Sequence, residues 1–231
     1  MNICIGIISY LPDSEDLRKE RQKRVINLIN QIDKHFNLPI ILIAQNYKDF
    51  NINSKNIIRY NYDKLGITGA RRELRIKFLE SEYDYVIMLD DDMELSDNQQ
   101  DYDIYINNIL KYKKEYYYVR NFLNNFSVMS KEGFKKLDYD PEICVENGTG
   151  FEDWIFSVIC TRTLNSMRLT TNLPKYERKH FLNDKYSTWS TDGGSLLKQN
   201  QDISAQIVRD IRLNSNNKKS NHIHYFTDYR I

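Results

Sequence analysis

Residues 85–94 read YVIMLDDDME. An apolar run of this length, closed abruptly by charge, predicts a buried strand, and it delivers Asp90, Asp91 and Asp92 to the strand's end. Three adjacent carboxylates repel one another and raise each other's pKa unless a cation or hydrogen-bond donors compensate. A hard divalent ion resolves the conflict. Mg²⁺ or Mn²⁺ prefers carboxylate oxygens and takes one or two of them together with phosphate oxygens. Strand alternation places Asp90 and Asp92 on one side and Asp91 on the other. Asp90 and Asp92 are therefore expected to face a ligand, Asp92 as the direct metal ligand, with Asp91 supporting the loop. The competing bland reading is a solvated acidic turn.

The chain before this run repeats one pattern. Asn2 to Tyr10 (NICIGIISY) is a β-branched apolar stretch stopped by Pro12 and Asp13. Leu17, Val25, Leu28, Ile29, Ile32 and Phe36 then recur at helical spacing among charges, behind a cap at Asp13 or Ser14. Pro39 to Ala44 predicts a second strand and Asn56 to Tyr60 a third. Gly66 and Gly69 break the chain before Ala70, Leu74 and Phe78, which mark one face of a second helix. Strands alternating with helices predict an α/β fold with a mostly parallel, doubly wound sheet, whose ligands bind beyond the carboxyl ends of the strands. The aspartates lie at such an end.

Beyond residue 100 the pattern turns α+β. Tyr116 to Phe122 and Phe126 to Ser130 predict strands, a short helix begins near Ser130, and Asp202 caps a helix carrying Ile203, Ile207 and Ile211. One domain over 1–231 is expected, with 1–95 as its nucleotide-binding half and 96–231 as the acceptor-binding half and tail. The formal charge is +1, from 33 basic and 32 acidic residues, so no global field commits the molecule to nucleic acid. Residues 161–231 nevertheless hold twelve Lys/Arg against six Asp/Glu, which keeps a DNA or other polyanionic acceptor in view. Cys4, Cys144 and Cys160 form no CxxC pair, no stretch approaches the ~20 apolar residues of a membrane span, and no signal peptide is visible. A reduced, cytoplasmic protein is the expectation.

Four segments in order resemble the GT-A glycosyltransferases, especially the family-2-like group: Ile8-Ser9-Tyr10, Gly66 to Arg72 (GITGARR), the DxD-like Asp90 to Asp92, and Gly150 to Trp154 (GFEDW). The resemblance implies a GT-A fold, a nucleotide-sugar donor (a UDP-sugar first) and Mn²⁺ or Mg²⁺ as cofactor. It also implies donor contacts from Ser9, Tyr10, Gln45, Arg71, Arg72, Asp90 and Asp91, metal ligation by Asp90 and Asp92, and a catalytic pair at Glu152 and Asp153, with Asp153 as base. Where the group has an acidic base-reading residue after the second strand, this chain has Gln45-Asn46, and an amide both donates and accepts. A further metal ligand is expected from a C-terminal histidine: His180 first, His222 or His224 otherwise. On chemistry alone, a carboxylate at residue 152 or 153 can take the proton of an attacking sugar hydroxyl, or simply cap the helix carrying Trp154, Phe156 and Ile159. Arg71 and Arg72 suit phosphate, and cations near a helix N-terminus call for an anionic partner. The reading is therefore transfer of a sugar to an acceptor hydroxyl, with inversion, on a glycan, a small molecule or a modified phage DNA base. Alternatives are a sugar-1-phosphate nucleotidyltransferase, which normally has a glycine-rich basic loop after the first strand where this chain has SYLPDSED, and a non-catalytic carbohydrate- or nucleotide-binding module.

Overall fold

The computed structural model describes residues 1–48, 50–119, 126–137, 152–174 and 209, with the backbone alone for 152–155. In chain order the elements are β1 (Ile3–Tyr10), α1 (Glu15–His35), β2 (Ile40–Gln45), β3 (Ile57–Tyr62), α2 (Gly66–Glu80), β4 (Tyr85–Asp90), α3 (Gln99–Tyr112), β5 (Tyr116–Val119), β6 (Phe126–Ser130), α4 (Lys131–Lys136), α5 (Glu152–Thr163) and β7 (Ser166–Leu169). They build a seven-stranded sheet in the order β3-β2-β1-β4-β6-β5-β7. The first four strands of that order are parallel, β6 runs antiparallel to β4 and β5, and β7 is parallel to β5. The α/β class and mostly parallel sheet expected from the sequence are what the chain adopts.

The apolar runs are continuous because both faces of the sheet are covered. On one face Ile5, Ile7, Leu42, Ile87 and Leu89 pack with Val25, Leu28, Ile29 and Ile32 of α1 and with Tyr102, Tyr105 and Ile109 of α3. On the other, Cys4, Ile8, Ile41, Ile43, Val86 and Met88 pack with Ala70, Leu74 and Phe78 of α2, Phe134 of α4 and Phe156, Ile159 and Cys160 of α5. Cys4 and Cys160 are buried free thiols whose pKa is pushed up by that burial, so they act as small core hydrophobes.

Gly6 of β1 sets how closely α2 approaches the sheet. A Cβ there would stand 2.8 Å from both Leu74 methyls and 2.9 Å from Val86 Cγ2. Gly6→Val is expected to cost about 1–3 kcal/mol through overpacking, read as a lowered urea midpoint. Leu74→Ala in the same chain should recover part of it. No loss in the single variant, or no recovery in the double, would remove this account of the glycine.

Several boundaries differ from the sequence reading. Gly66 and Gly69 open α2 rather than precede it: Gly66 has φ +71°, which a residue without Cβ adopts freely. Arg71 and Arg72 consequently lie in the second turn, where the dipole has faded, so their placement is no conflict with the helix. Helix α3 and strand β7 were not expected. α3 is capped by Asn98, whose side chain accepts from Gln100 N–H, and its buried stripe is mostly tyrosine. β7 is a four-residue edge strand with one buried residue. Among the described residues no helix is long and apolar enough to cross a membrane. The helix expected over 202–211 lies outside the described residues, apart from residue 209.

Candidate functional site

The chain runs outward from β1 to β2 to β3, then returns to place β4 on the other side of β1. The crevice at the carboxyl ends of β1 and β4 is thus the point where strand order reverses, the usual ligand position of such sheets. The register brings Ile8 opposite Asp90, so Ser9 and Tyr10 of β1 reach the same edge as the aspartates.

Strand geometry ends at Asp90. A turn follows, in which Met93 N–H donates to the Asp90 carbonyl at 3.3 Å, and the three carboxylates part. Asp90 stays on the α2 face, where Arg71 Nη2 lies 3.5 Å from its Oδ1. Asp91 turns to the α1 face and is buried: Arg21 Nη1 donates to its Oδ1 at 2.8 Å, and the Ser9 hydroxyl donates to its Oδ2. Ser9 in turn accepts from the Tyr47 hydroxyl at 2.6 Å. Asp92 falls inside the turn, so alternation no longer governs it. Its Oδ2 lies 3.3 Å from the same Arg21 Nη1, and its side chain is 42% exposed. Asp92 therefore shares Arg21 with Asp91, and the expected grouping of Asp92 with Asp90 by strand parity is replaced by turn geometry.

Burial pushes the Asp91 carboxyl up from its ordinary value; Arg21 opposes the push, Asp92 adds to it and Ser9 opposes it. The same ion pair raises the Arg21 guanidinium, with Asp91 the largest cause. Burial, with Asp91 adding, raises the Tyr47 phenol, so Tyr47 remains a proton donor to Ser9.

Residues at the ends of β1, β2 and β3 line the same edge. Tyr10, Gln45 and Tyr62 stand side by side across β1, β2 and β3. Lys64 Nζ lies 5.9 Å from the centre of the Tyr10 ring, a cation–π separation. Gln45 is buried, and its Oε1 accepts from Leu65 N–H at 2.7 Å. Only the carbonyl oxygen can accept, so this bond fixes the amide and leaves the NH₂ end to donate. Asn46 has φ +57°, a left-handed conformation that asparagine tolerates, and its Nδ2 donates to Leu11 O and Asp13 Oδ1, both at 2.8 Å. It ties the β1–α1 connection to the end of β2. Arg71 is largely covered and Arg72 is exposed.

Glu152 and Asp153 are the first two residues of α5, a position that favours carboxylates through the helix dipole. Their side chains, together with His180, His222, His224 and Gly150, lie outside the described residues. Among the described residues no three His, Cys, Asp or Glu side chains are grouped to hold a metal. A carboxylate is nonetheless the kind of ligand a hard divalent cation takes, and Asp92 is the most exposed of the three at this edge.

Arg21 and Tyr47 were missed in the sequence. Arg21 sits four residues after Leu17 and four before Val25, on the apolar stripe of α1. A charge in that stripe requires a buried counter-charge, and that was the available signal.

No family model matches the chain, and no curated protein does. Solved structures do. The structure of S. aureus TarS 1-349 in complex with UDP-GlcNAc superposes with a TM-score of 0.56 at 12% identity, over 100% of this chain and 76% of that one. The same protein in complex with UDP gives 0.52 at 11%, over 77% of this chain and 60% of that one. A putative glucose-1-phosphate thymidylyltransferase from Bacillus anthracis gives 0.50 at 10%, over 89% and 95%. The chain has the GT-A fold. The matched part spans 60% of the UDP-bound TarS 1-349 chain and 35% of the longer TarS chain.

Proposed function

We propose that this GT-A chain is a metal-dependent glycosyltransferase that moves a sugar from a nucleotide-diphospho-sugar, a UDP-sugar first, to an acceptor hydroxyl with inversion. The observation that carries the reading is the exposed Asp92 at the β1/β4 switch point of a GT-A sheet. Asp92, with Asp90 and His180, would hold Mg²⁺ or Mn²⁺, which when bound offsets charge growing on the departing nucleoside diphosphate. Tyr10 offers an aromatic face and Gln45 an amide N–H to the base, while Arg71 and Arg72 offer guanidinium forks to phosphate. Asp153, with Glu152 beside it, takes the proton of the attacking hydroxyl. The acceptor is a glycan or small molecule, with a DNA base in view because of the basic last third.

The nucleotidyltransferase alternative shares the fold, as the Bacillus anthracis neighbour does, and is not the better reading. The connection between β1 and α1 is only Leu11 to Ser14, without the glycine-rich basic loop that class normally carries.

Incubation with Mn²⁺ and a panel of UDP-, GDP- and dTDP-sugars is expected to release free nucleoside diphosphate. Asp153→Asn should lower that release roughly 10²–10⁴-fold while donor binding, read by thermal shift, stands. A binding module would release nothing and ignore the substitution. A nucleotidyltransferase would instead form pyrophosphate from a nucleoside triphosphate and a sugar-1-phosphate. No release and no thermal shift with any donor would sink the proposal.

A further inference from the structure

We propose that Arg21 is a positioning residue for Asp92, clamped from below by a buried chain that runs Tyr47–Ser9–Asp91–Arg21. The inference rests on the reading of Asp92 as a metal ligand and adds to it the device that aims that ligand.

Each link has one direction. Tyr47 donates to Ser9, Ser9 donates its proton to Asp91 Oδ2, and Asp91 Oδ1 accepts from Arg21 Nη1 at 2.8 Å. Ser9 is 2% exposed and Asp91 7%, so water does not compete for these bonds, and in such surroundings each is stronger and geometrically stricter than at the surface. The guanidinium is planar and rigid, and its side chain is only 13% exposed. Once Nη1 is fixed on Asp91, its position toward Asp92 is fixed as well. The one nitrogen that anchors the buried carboxylate lies 3.3 Å from Oδ2 of the exposed one.

Charge points the same way. The described ion pairs set Arg71 on Asp90 and Arg21 on Asp91 and Asp92. Without Arg21, Asp92 would repel Asp91 directly and swing away from it into solvent. With Arg21, Oδ2 is restrained at 3.3 Å, and the half-exposed carboxylate keeps its other oxygen for a cation. This matches the general finding that groups orienting a metal ligand matter nearly as much as the ligand.

A structural ion pair would also destabilise the protein when broken, so stability alone does not test the idea. The test is a double-mutant cycle read by Mn²⁺ binding in the presence of UDP, with free Mn²⁺ counted by electron paramagnetic resonance below each variant's unfolding transition. Arg21→Met is expected to weaken Mn²⁺–UDP binding roughly 10–100-fold in the wild-type background and to change it little in an Asp92→Asn background. Arg21→Lys keeps the charge but lacks the planar fork, and should restore only part of the loss. Equal weakening in both backgrounds, full restoration by lysine, or tighter binding in Arg21→Met would overturn the inference, the last two because they reduce Arg21 to a point charge. If Asp92→Asn alone leaves binding intact, the metal role of Asp92 fails and the inference falls with it, a result distinct from the others.

Discussion

Asp91→Ala is expected to destabilise the protein by about 3 kcal/mol, the low end of what breaking a buried ion pair costs, and to lower its unfolding temperature by roughly 6–12 °C for a chain of this size. The loss arises from what stays behind. Arg21 keeps its charge with its side chain 13% exposed, and the Ser9 hydroxyl loses its acceptor, which costs about 1–3 kcal/mol in a buried setting. Asp92 at 3.3 Å from Arg21 takes over part of the charge, which holds the total toward the lower figure. Replacing both partners, Arg21→Met with Asp91→Leu, should recover much of the loss, because apolar side chains of similar volume often match or exceed a buried pair in stability. Thermal or urea unfolding of the three variants decides it. A loss under about 1 kcal/mol in Asp91→Ala, well below the range for a broken buried pair, would mean that Asp91 is not the anchor of this edge.

In the sheet's parallel half, a strand buried on both faces reads as an unbroken apolar run. β1, β2 and β4 stand out this way, and the α1 stripe from Val25 to Ile32 fixes the helix between the first two. Where burial is one-sided or the stripe is built from tyrosine, the signal fades. α3 presents Tyr102 and Tyr105 inward, and those residues also suit strands, while β7 has only Leu169 buried. The acidic run was legible as the end of a buried strand but not in its internal geometry. Alternation is a property of strands, and β4 stops at Asp90, so parity separates Asp91 from Asp90, as found, and does not govern Asp92, which belongs to the turn. Ser9 is expected among the donor contacts, and in the fold its hydroxyl donates to Asp91 and accepts from Tyr47. That assignment depends on Arg21 and Tyr47, 70 and 44 residues away in sequence from Asp91, a coincidence in space that no local pattern announces. Gln45 is a similar case: the sequence leaves its amide able to donate or accept, and the Leu65 N–H bond settles which end is free.

Asp92→Asn is expected to do the opposite of Asp91→Ala: sugar transfer, or donor hydrolysis, falls roughly 10²–10³-fold while the unfolding temperature scarcely moves. An asparagine keeps the shape and one oxygen but has lost the charge that makes a carboxylate a ligand for a hard cation. Stability is spared because the Asp92 side chain is 42% exposed, and pairs with that much solvent access contribute about 0–1 kcal/mol. Removing a like charge beside Asp91 also relieves repulsion, which offsets some of that small loss. Chelation of Mn²⁺ from the wild-type protein should bring its turnover down to about the residual level of the variant, and restored Mn²⁺ should rescue only the wild type. Neighbouring aspartates would then separate cleanly, one through unfolding temperature and the other through rate. If Asp92→Asn retains wild-type turnover, or if it loses as much stability as Asp91→Ala, the division of labour inside the turn is wrong and Asp92 is part of the scaffold.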